Sequence, residues 1–195
     1  MFDGKVTENQ PYDVVADRKT WQLRHYPPHL VAEVEVSGDF SDAGNRAFGV
    51  LISFISGNNT QRGKVSMTAP VLQQSEPDDA APAHAGTDDP DAPLRRHRVA
   101  FVMPSTYSLA TLPVPSDSRI TIRELPAQDM AARTFSGRWS ERSYREQLTA
   151  LRRDVAAGGL EVVGPPRYAR FDPPWKPGFL RRNEVLLPVH SAPPA

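Results

Sequence analysis

Hydrophobic and polar positions follow two spacings along this chain, and the spacings recur in the same order in its two halves. From Trp21 to Tyr26 and from Leu30 to Val36 the pattern is extended, the second run placing Leu30, Ala32, Val34 and Val36 on one face and Val31, Glu33 and Glu35 on the other. Joined at Pro27-Pro28, these runs predict a half-buried antiparallel pair. After Ser37-Gly38 the spacing lengthens to three and four residues. Ala47, Phe48, Leu51, Phe54 and Ile55 then form one stripe and Gly57-Asn58-Asn59 supplies a stop, so a helix is expected. Lys64 to Leu72 and Arg98 to Pro104 read as two further strands.

The second half repeats the plan. Ile120 to Glu124, a turn at Pro126 and Met130 to Phe135 precede a helix with the stripe Tyr144, Leu148, Leu151 and Val155; Ser143 with Glu146 forms a capping box, and Gly158-Gly159 ends the helix. Leu160 to Phe171 and Asn183 to Val189 complete it. Laid without a gap, residues 21–41 and 120–140 match at Arg24 with Arg123, Pro27 with Pro126, Ala32 with Ala131, Ser37 with Ser136, Gly38 with Gly137 and Ser41 with Ser140. One position conflicts: Arg133 stands where Val34 stood, so either the register slips or the two faces are used differently. The expected fold is α+β, two duplicated β-β-α-β-β units forming an eight-stranded, mainly antiparallel distorted barrel with two helices. A single domain is expected over residues 12–189, with pseudo-repeats 20–104 and 119–189 and flexible termini at 1–11 and 190–195. A groove between the two copies is the natural place for a ligand.

Residues 74–95 interrupt the first unit with Pro, Ala, Asp, His and Gly, a composition that cannot bury a core, so a disordered loop insertion is expected. Its acids Asp78, Asp79, Asp88, Asp89 and Asp91 read as solvation of a linker before they read as a cation site.

Charge and cysteine usage narrow the function classes. The chain carries 23 basic and 23 acidic residues, which argues against a dedicated nucleic-acid surface. It has no cysteine, which excludes disulfides, thiolate nucleophiles, iron–sulfur ligation and covalent c-type haem attachment. No signal-like amino terminus or bilayer-length apolar run is present, so the expectation is a soluble, cytoplasmic protein without membrane insertion. Glycine-rich phosphate loops, a nucleophile elbow and metalloprotease motifs are also missing.

Of the five histidines, His84 and His97 fall in or beside the loop and His190 at the end of the chain. His25 and His29 remain, and Pro27-Pro28 between them prevents a helical metal pair. His25 shares an extended face with Trp21 and Leu23, so it is either a ligand-capable group on an apolar side or a strand-end residue bonded to its neighbours. Its counterpart is Glu124, beside Ile120 and Ile122.

Several motifs occur together: Arg24-His25-Tyr26 followed by Pro, Gly57-Asn58-Asn59, Met67-Thr68-Ala69-Pro70-Val71, Phe101-Val102-Met103-Pro104, Phe135-Ser136-Gly137, and Asp172-Pro173-Pro174 leading to Arg181-Arg182-Asn183-Glu184-Val185. In this order they resemble the SOUL haem-binding protein family, from about Tyr12 to Val189. The resemblance implies a duplicated barrel that binds haem or free porphyrin non-covalently. It places a candidate axial ligand at His25. In relatives without that histidine it implies an apolar groove along the first helix, here Phe48 and Ile52, with Arg46 as a propionate partner. Where relatives carry a lysine late in that helix, this chain has Ser53.

A porphyrin is a flat apolar disc with acidic arms, so it asks for an apolar slot, a basic rim and at most two iron ligands. Arg46, Lys64, Arg181 and Arg182 are candidates for the rim, although the last two also open a strand and can fix a turn. Met67 and Met103 are either axial sulfurs or core packing. Trp175, in a proline-rich loop, either covers a cavity mouth or anchors the loop. The leading expectation is a tetrapyrrole carrier, buffer or sensor with no chemistry of its own. Two alternatives stand beside it. One is a binding module for small cationic organic molecules, similar to GyrI-like domains, with Glu124 among Trp139 and Tyr144. The other is a haem-processing or hydrolytic enzyme, for which no nucleophile–base pair is visible.

Overall fold

Both helices form where the three- and four-residue spacing places them. In the computed structural model, which describes residues 8–75, 95–173 and 175–191, α1 spans Phe40–Ile55 and buries Ala43, Gly44, Ala47, Leu51, Phe54 and Ile55. Its stop is built by Asn59, whose side-chain amide donates to the carbonyls of Phe54 (3.1 Å) and Gly63 (2.7 Å). Helix α2 spans Glu141–Ala157 and buries Tyr144, Leu151 and Val155. Its cap differs from the predicted box. The Ser140 hydroxyl accepts from the Ser143 N–H at 3.2 Å, while Glu146 pairs with Arg142 on the surface. The helix thus begins three residues earlier, and Ser143 contributes its backbone N–H to the cap.

The strands are β1 (Glu8–Asn9), β2 (Asp13–Asp17), β3 (Gln22–Tyr26), β4 (His29–Ser37), β5 (Thr68–Ala69), β6 (Val71–Ser75), β7 (Arg96–Val102), β8 (Ile120–Leu125), β9 (Gln128–Ser136), β10 (Leu160–Val162), β11 (Arg167–Arg170) and β12 (Arg182–Ser191). A ten-stranded antiparallel sheet runs β2-β3-β9-β12-β11-β6-β7-β4-β8, with β10 attached to β12, and β1 pairs in parallel with β5. The α+β class holds, in a curled sheet with two helices; β2 and β10 lengthen the expected eight strands to ten. Exchanging the halves, β3 for β8, β4 for β9, β6 for β11 and β7 for β12, returns the central eight-strand path reversed.

The predicted pairing of residues 21–26 with 30–36 is not found. β3 pairs with β9 and β4 with β8, so each half lends a strand to the other. Pro27-Pro28 lacks the N–H groups and positive-φ residues of a tight hairpin, so the chain crosses between partners. Nor is β4 half-buried: Val31 and Glu33 are buried beside Leu30, Ala32 and Val34, because helix α1 covers one face and the curled sheet closes over the other.

Among the described residues strand pairing includes Glu8, ahead of the expected domain start, and β6 carries Gln74 and Ser75. Arg95 pairs with Glu141. His84 and the five aspartates of the loop lie outside the described residues, as does most of 74–95. His97 is not at a loop edge but buried in β7. Its Nε2–H donates to the Gly38 carbonyl (2.9 Å), and its Nδ1 accepts from Ser75 Oγ (3.0 Å). Arg133 keeps register and faces α2, neutralised there by Asp154 at 3.0 Å and bonded to Gln147.

Among the described residues three apolar clusters result. One lies under α1, with Leu51 and Phe54 on Ala32, Val34, Val99 and Phe101. A second lies under α2, with Tyr144, Leu151 and Val155 on Trp21, Ala131, Val185 and Leu187. The third is made by strands alone and includes Tyr26, Val31, Leu72, Val102, Met130 and Leu186.

Candidate functional site

The motif Arg24-His25-Tyr26 sends its side chains to opposite sides of β3. Arg24 and Tyr26 point into the strand-only core, where the Arg24 guanidinium holds Glu184 with two bonds of 2.8 and 3.1 Å. Arg182 and Thr134 also donate to Glu184. Burial by itself pushes the Glu184 carboxyl up, but these donors outweigh it and hold the group below its ordinary value. His25 falls on the other side, 46 % exposed, with Nδ1 at 2.6 Å from Asp129 Oδ1. The apolar face that Trp21 and Leu23 share packs against α2, and His25 lies beyond its end.

An apolar cavity of about 270 Å³ opens elsewhere, between α1 and the segment following β11. Gly44, Asn45, Phe48 and Ile52 of α1 form one wall; Met67, Thr68, Ala69 and Val71 form the floor; Trp139, Arg170, Phe171, Asp172, Pro173 and Trp175 close the other side. The helical spacing that hides Leu51 and Phe54 leaves Phe48 and Ile52 partly buried on the adjoining stripe, and Phe48 rests edge-on against Phe101 at 5.4 Å.

The cavity continues into a polar vestibule of about 480 Å³, which shares Asn45, Trp139, Arg170 and Trp175 with it and adds Ser41, Arg138, Lys176 and Arg181. Trp139 lies between two guanidinium groups, the Cζ atoms of Arg170 and Arg181 each 4.8 Å from its ring. Arg170 is 7 % exposed, and burial pushes its guanidinium below the ordinary value. It donates to Gln73 Oε1 at 2.5 Å. Asp172, at the cavity wall, is committed to Lys176 Nζ (2.7 Å) and the Arg182 N–H (2.6 Å), which hold its carboxyl low against the upward push of burial.

Of the residues singled out from sequence, Phe48, Ile52 and Met67 meet in this cavity. Arg181 meets it at the vestibule, and Trp175 stands at the mouth, 72 % exposed. Arg46 donates instead to the Ser37 carbonyl and lines a separate depression beside Asp39 and Asp42. Lys64 is exposed away from both spaces, Met103 is core beneath α1, and Arg182 stacks on Phe171 at 4.0 Å and pairs with Glu184. Glu124 is not among Trp139 and Tyr144. It lines a different depression with His29 and Met103, while Tyr144 is buried and donates to Asn183. The expected cation pocket is therefore not assembled. Among the described residues the buried carboxylates, Glu33 and Glu184, are both paired with arginine. Arg170 and Gly44 had no signal of this kind in the sequence, because no spacing rule brings the end of β11 to the first turns of α1.

The site is an apolar slot with a cationic end, on the curled antiparallel sheet of an α+β fold built from two interlocked halves. Residues 7–188 match the model of the SOUL heme-binding protein, and the chain belongs to that family. It is 28 % identical over 187 residues to heme-binding protein 1 of Xenopus laevis, covering 94 % of this chain and 88 % of that one. It is also 28 % identical over 179 residues to heme-binding protein 2 of Homo sapiens, covering 91 % and 82 %. Among solved structures, the EcmrR C-terminal domain superposes with a TM-score of 0.62 at 14 % identity, covering 93 % of this chain and 99 % of that one. A hydrolase from Listeria innocua gives 0.59 at 13 %, covering 90 % and 94 %. These last two likenesses concern the fold alone.

Proposed function

We propose that this protein binds haem or a metal-free porphyrin non-covalently in the cavity between α1 and the Phe171–Trp175 segment, as a carrier, buffer or sensor of tetrapyrroles. The observation that carries this is the continuity of an apolar slot with a cationic vestibule, the two surfaces that a flat macrocycle with acidic arms requires. At about 270 Å³ the slot is near the lower end of small-molecule sites, which run from roughly 300 to 1,000 Å³. The macrocycle accordingly sits partly within it, with one edge toward the vestibule. Among the described residues no histidine lines the slot, and Met67 is the one sulfur at its floor. Apolar contact with Phe48, Ile52, Val71 and Phe171 supplies the binding, and iron is dispensable. His25, bonded to Asp129 away from the slot, is not needed as a ligand. The membership of the family and its heme-binding relatives support the same ligand class, and a cytoplasmic setting fits a chain without cysteine.

Parallel titrations with haemin and with protoporphyrin IX, followed in the Soret band, test this. The expected result is saturation at one equivalent for both, with affinities of the same order and no change in His25→Ala. Haemin binding no stronger than to an inert control protein overturns the proposal. Loss of haemin binding in His25→Ala, with protoporphyrin ignored, replaces it with axial ligation by His25.

A further inference from the structure

Arg170 is a buried cation for which the structure supplies no anion. Among the described residues no carboxylate pairs with it. The carboxylate nearest in the cavity wall, Asp172, is held by Lys176 and the Arg182 backbone. What surrounds the guanidinium is π surface and neutral oxygen: the Trp139 ring at 4.8 Å, the Phe40 ring at 5.6 Å, Gln73 Oε1 and the Tyr144 hydroxyl, which accepts from it. Two buried donors here have no hydrogen-bond partner, Arg170 Nε and Trp139 Nε1. Donors left unpaired in a protein interior are costly, and a guanidinium has the fork that matches a carboxylate.

The fold makes room for this cation. A Cβ placed on Gly44 would come within 2.8 Å of both Nη atoms of Arg170 and of Gln73 Oε1, so the guanidinium lies directly across the helix at its one side-chain-free position there. Gln73 is itself fixed, donating to the Phe40 carbonyl at 2.7 Å. Arg170 is therefore set in place from three sides, at the boundary between slot and vestibule.

We infer that Arg170, with Trp139 Nε1, is an oxyanion receptor that takes a carboxylate arm of the bound tetrapyrrole, so that this chain selects porphyrins that carry free acids. The inference rests on the tetrapyrrole proposal and deepens it. A site built around buried donors rejects an analogue that leaves them unpaired far more strongly than an apolar pocket rejects a change of size.

Mesoporphyrin IX and its dimethyl ester, kept monomeric in the same non-ionic detergent, provide the test through Soret titration of the wild type, Arg170→Met and the surface control Arg142→Met. The wild type binds the free acid at least about tenfold tighter than the ester. Arg170→Met loses that preference by weakening the acid alone, and the control keeps it. Gly44→Ala, which displaces the guanidinium without removing it, reduces the preference too and serves if Arg170→Met does not fold. Equal binding of acid and ester by the wild type, or an unchanged ratio in Arg170→Met, overturns the receptor while leaving the porphyrin site standing. Binding of neither porphyrin removes both.

Discussion

Two buried polar centres show what single residues contribute here. Arg24, 3 % exposed, and Glu184, fully buried, form a two-bond ion pair inside the strand-only cluster, with Tyr12 stacked on the guanidinium at 4.2 Å. Removing one partner of a buried pair typically costs about 3–5 kcal/mol. Because Arg182 and Thr134 still hold Glu184, Arg24→Met is expected near the lower figure in urea denaturation, and a loss under about 1 kcal/mol would show that the pair contributes little. His97 carries a pH dependence. Burial, opposed by its bond to the Gly38 carbonyl, holds its pKa below 6.5, so the folded state keeps it neutral where the unfolded chain protonates. Its contribution is present above pH 6.5 and is lost as the pH falls below that value, at no more than about 1.4 kcal/mol per pH unit for one group. The depressed Glu184 adds a loss in the same direction at lower pH, as the pH falls below the ordinary glutamate value toward its folded one. Urea midpoints at pH 7.5 and 5.5 should therefore diverge less in His97→Gln than in wild type; equal divergence would place the acid sensitivity elsewhere. The sequence marked Arg24 and Glu184 as parts of motifs, yet it could not show that they meet, since 160 positions separate them.

At the scale of elements, the periodicities were legible and the pairings were not. The stripe Ala47, Leu51, Phe54 and Ile55 is the buried face of α1, and Tyr144, Leu151 and Val155 that of α2, because burial against one sheet face imposes a 3.6-residue repeat on the sequence. Strand partners leave no such local trace, which is why β3 and β4 look like a hairpin and are not one. The start of α2 gives a sharp test, since two serines compete for the cap. Ser140→Ala should cost about 1 kcal/mol and Ser143→Ala under about 0.5 kcal/mol in thermal or urea unfolding. The reverse order would restore the capping box with Glu146.

For the whole molecule, the interlocking of halves decides where the slot opens. β3 joins the second half's β9 and β4 the second half's β8, while Phe40 at the start of α1 packs with Tyr144 and Tyr168 of the other half at 5.5 and 5.2 Å. The first turns of α1 are thereby brought to the end of β11, and the slot and its cationic end open along that seam. Spacing placed helix α1 because its repeat is local, and the family resemblance pointed to Phe48 and Ile52 on it, which line the slot. Arg170, Trp139 and Phe171 come from the other half, and only the closed sheet brings them opposite. No helix among the described residues is long and apolar enough to cross a membrane.

The central claim is that the α1 slot, and not His25, holds the porphyrin. Haemin titrated into Ile52→Asp and His25→Ala, with thermal unfolding to confirm that both variants are folded, tests it most directly. A charge placed in the slot wall should weaken binding at least about tenfold, from the penalty of an unpaired carboxylate against an apolar disc, while His25→Ala binds as the wild type does. Undiminished binding in Ile52→Asp together with loss in His25→Ala would contradict the account.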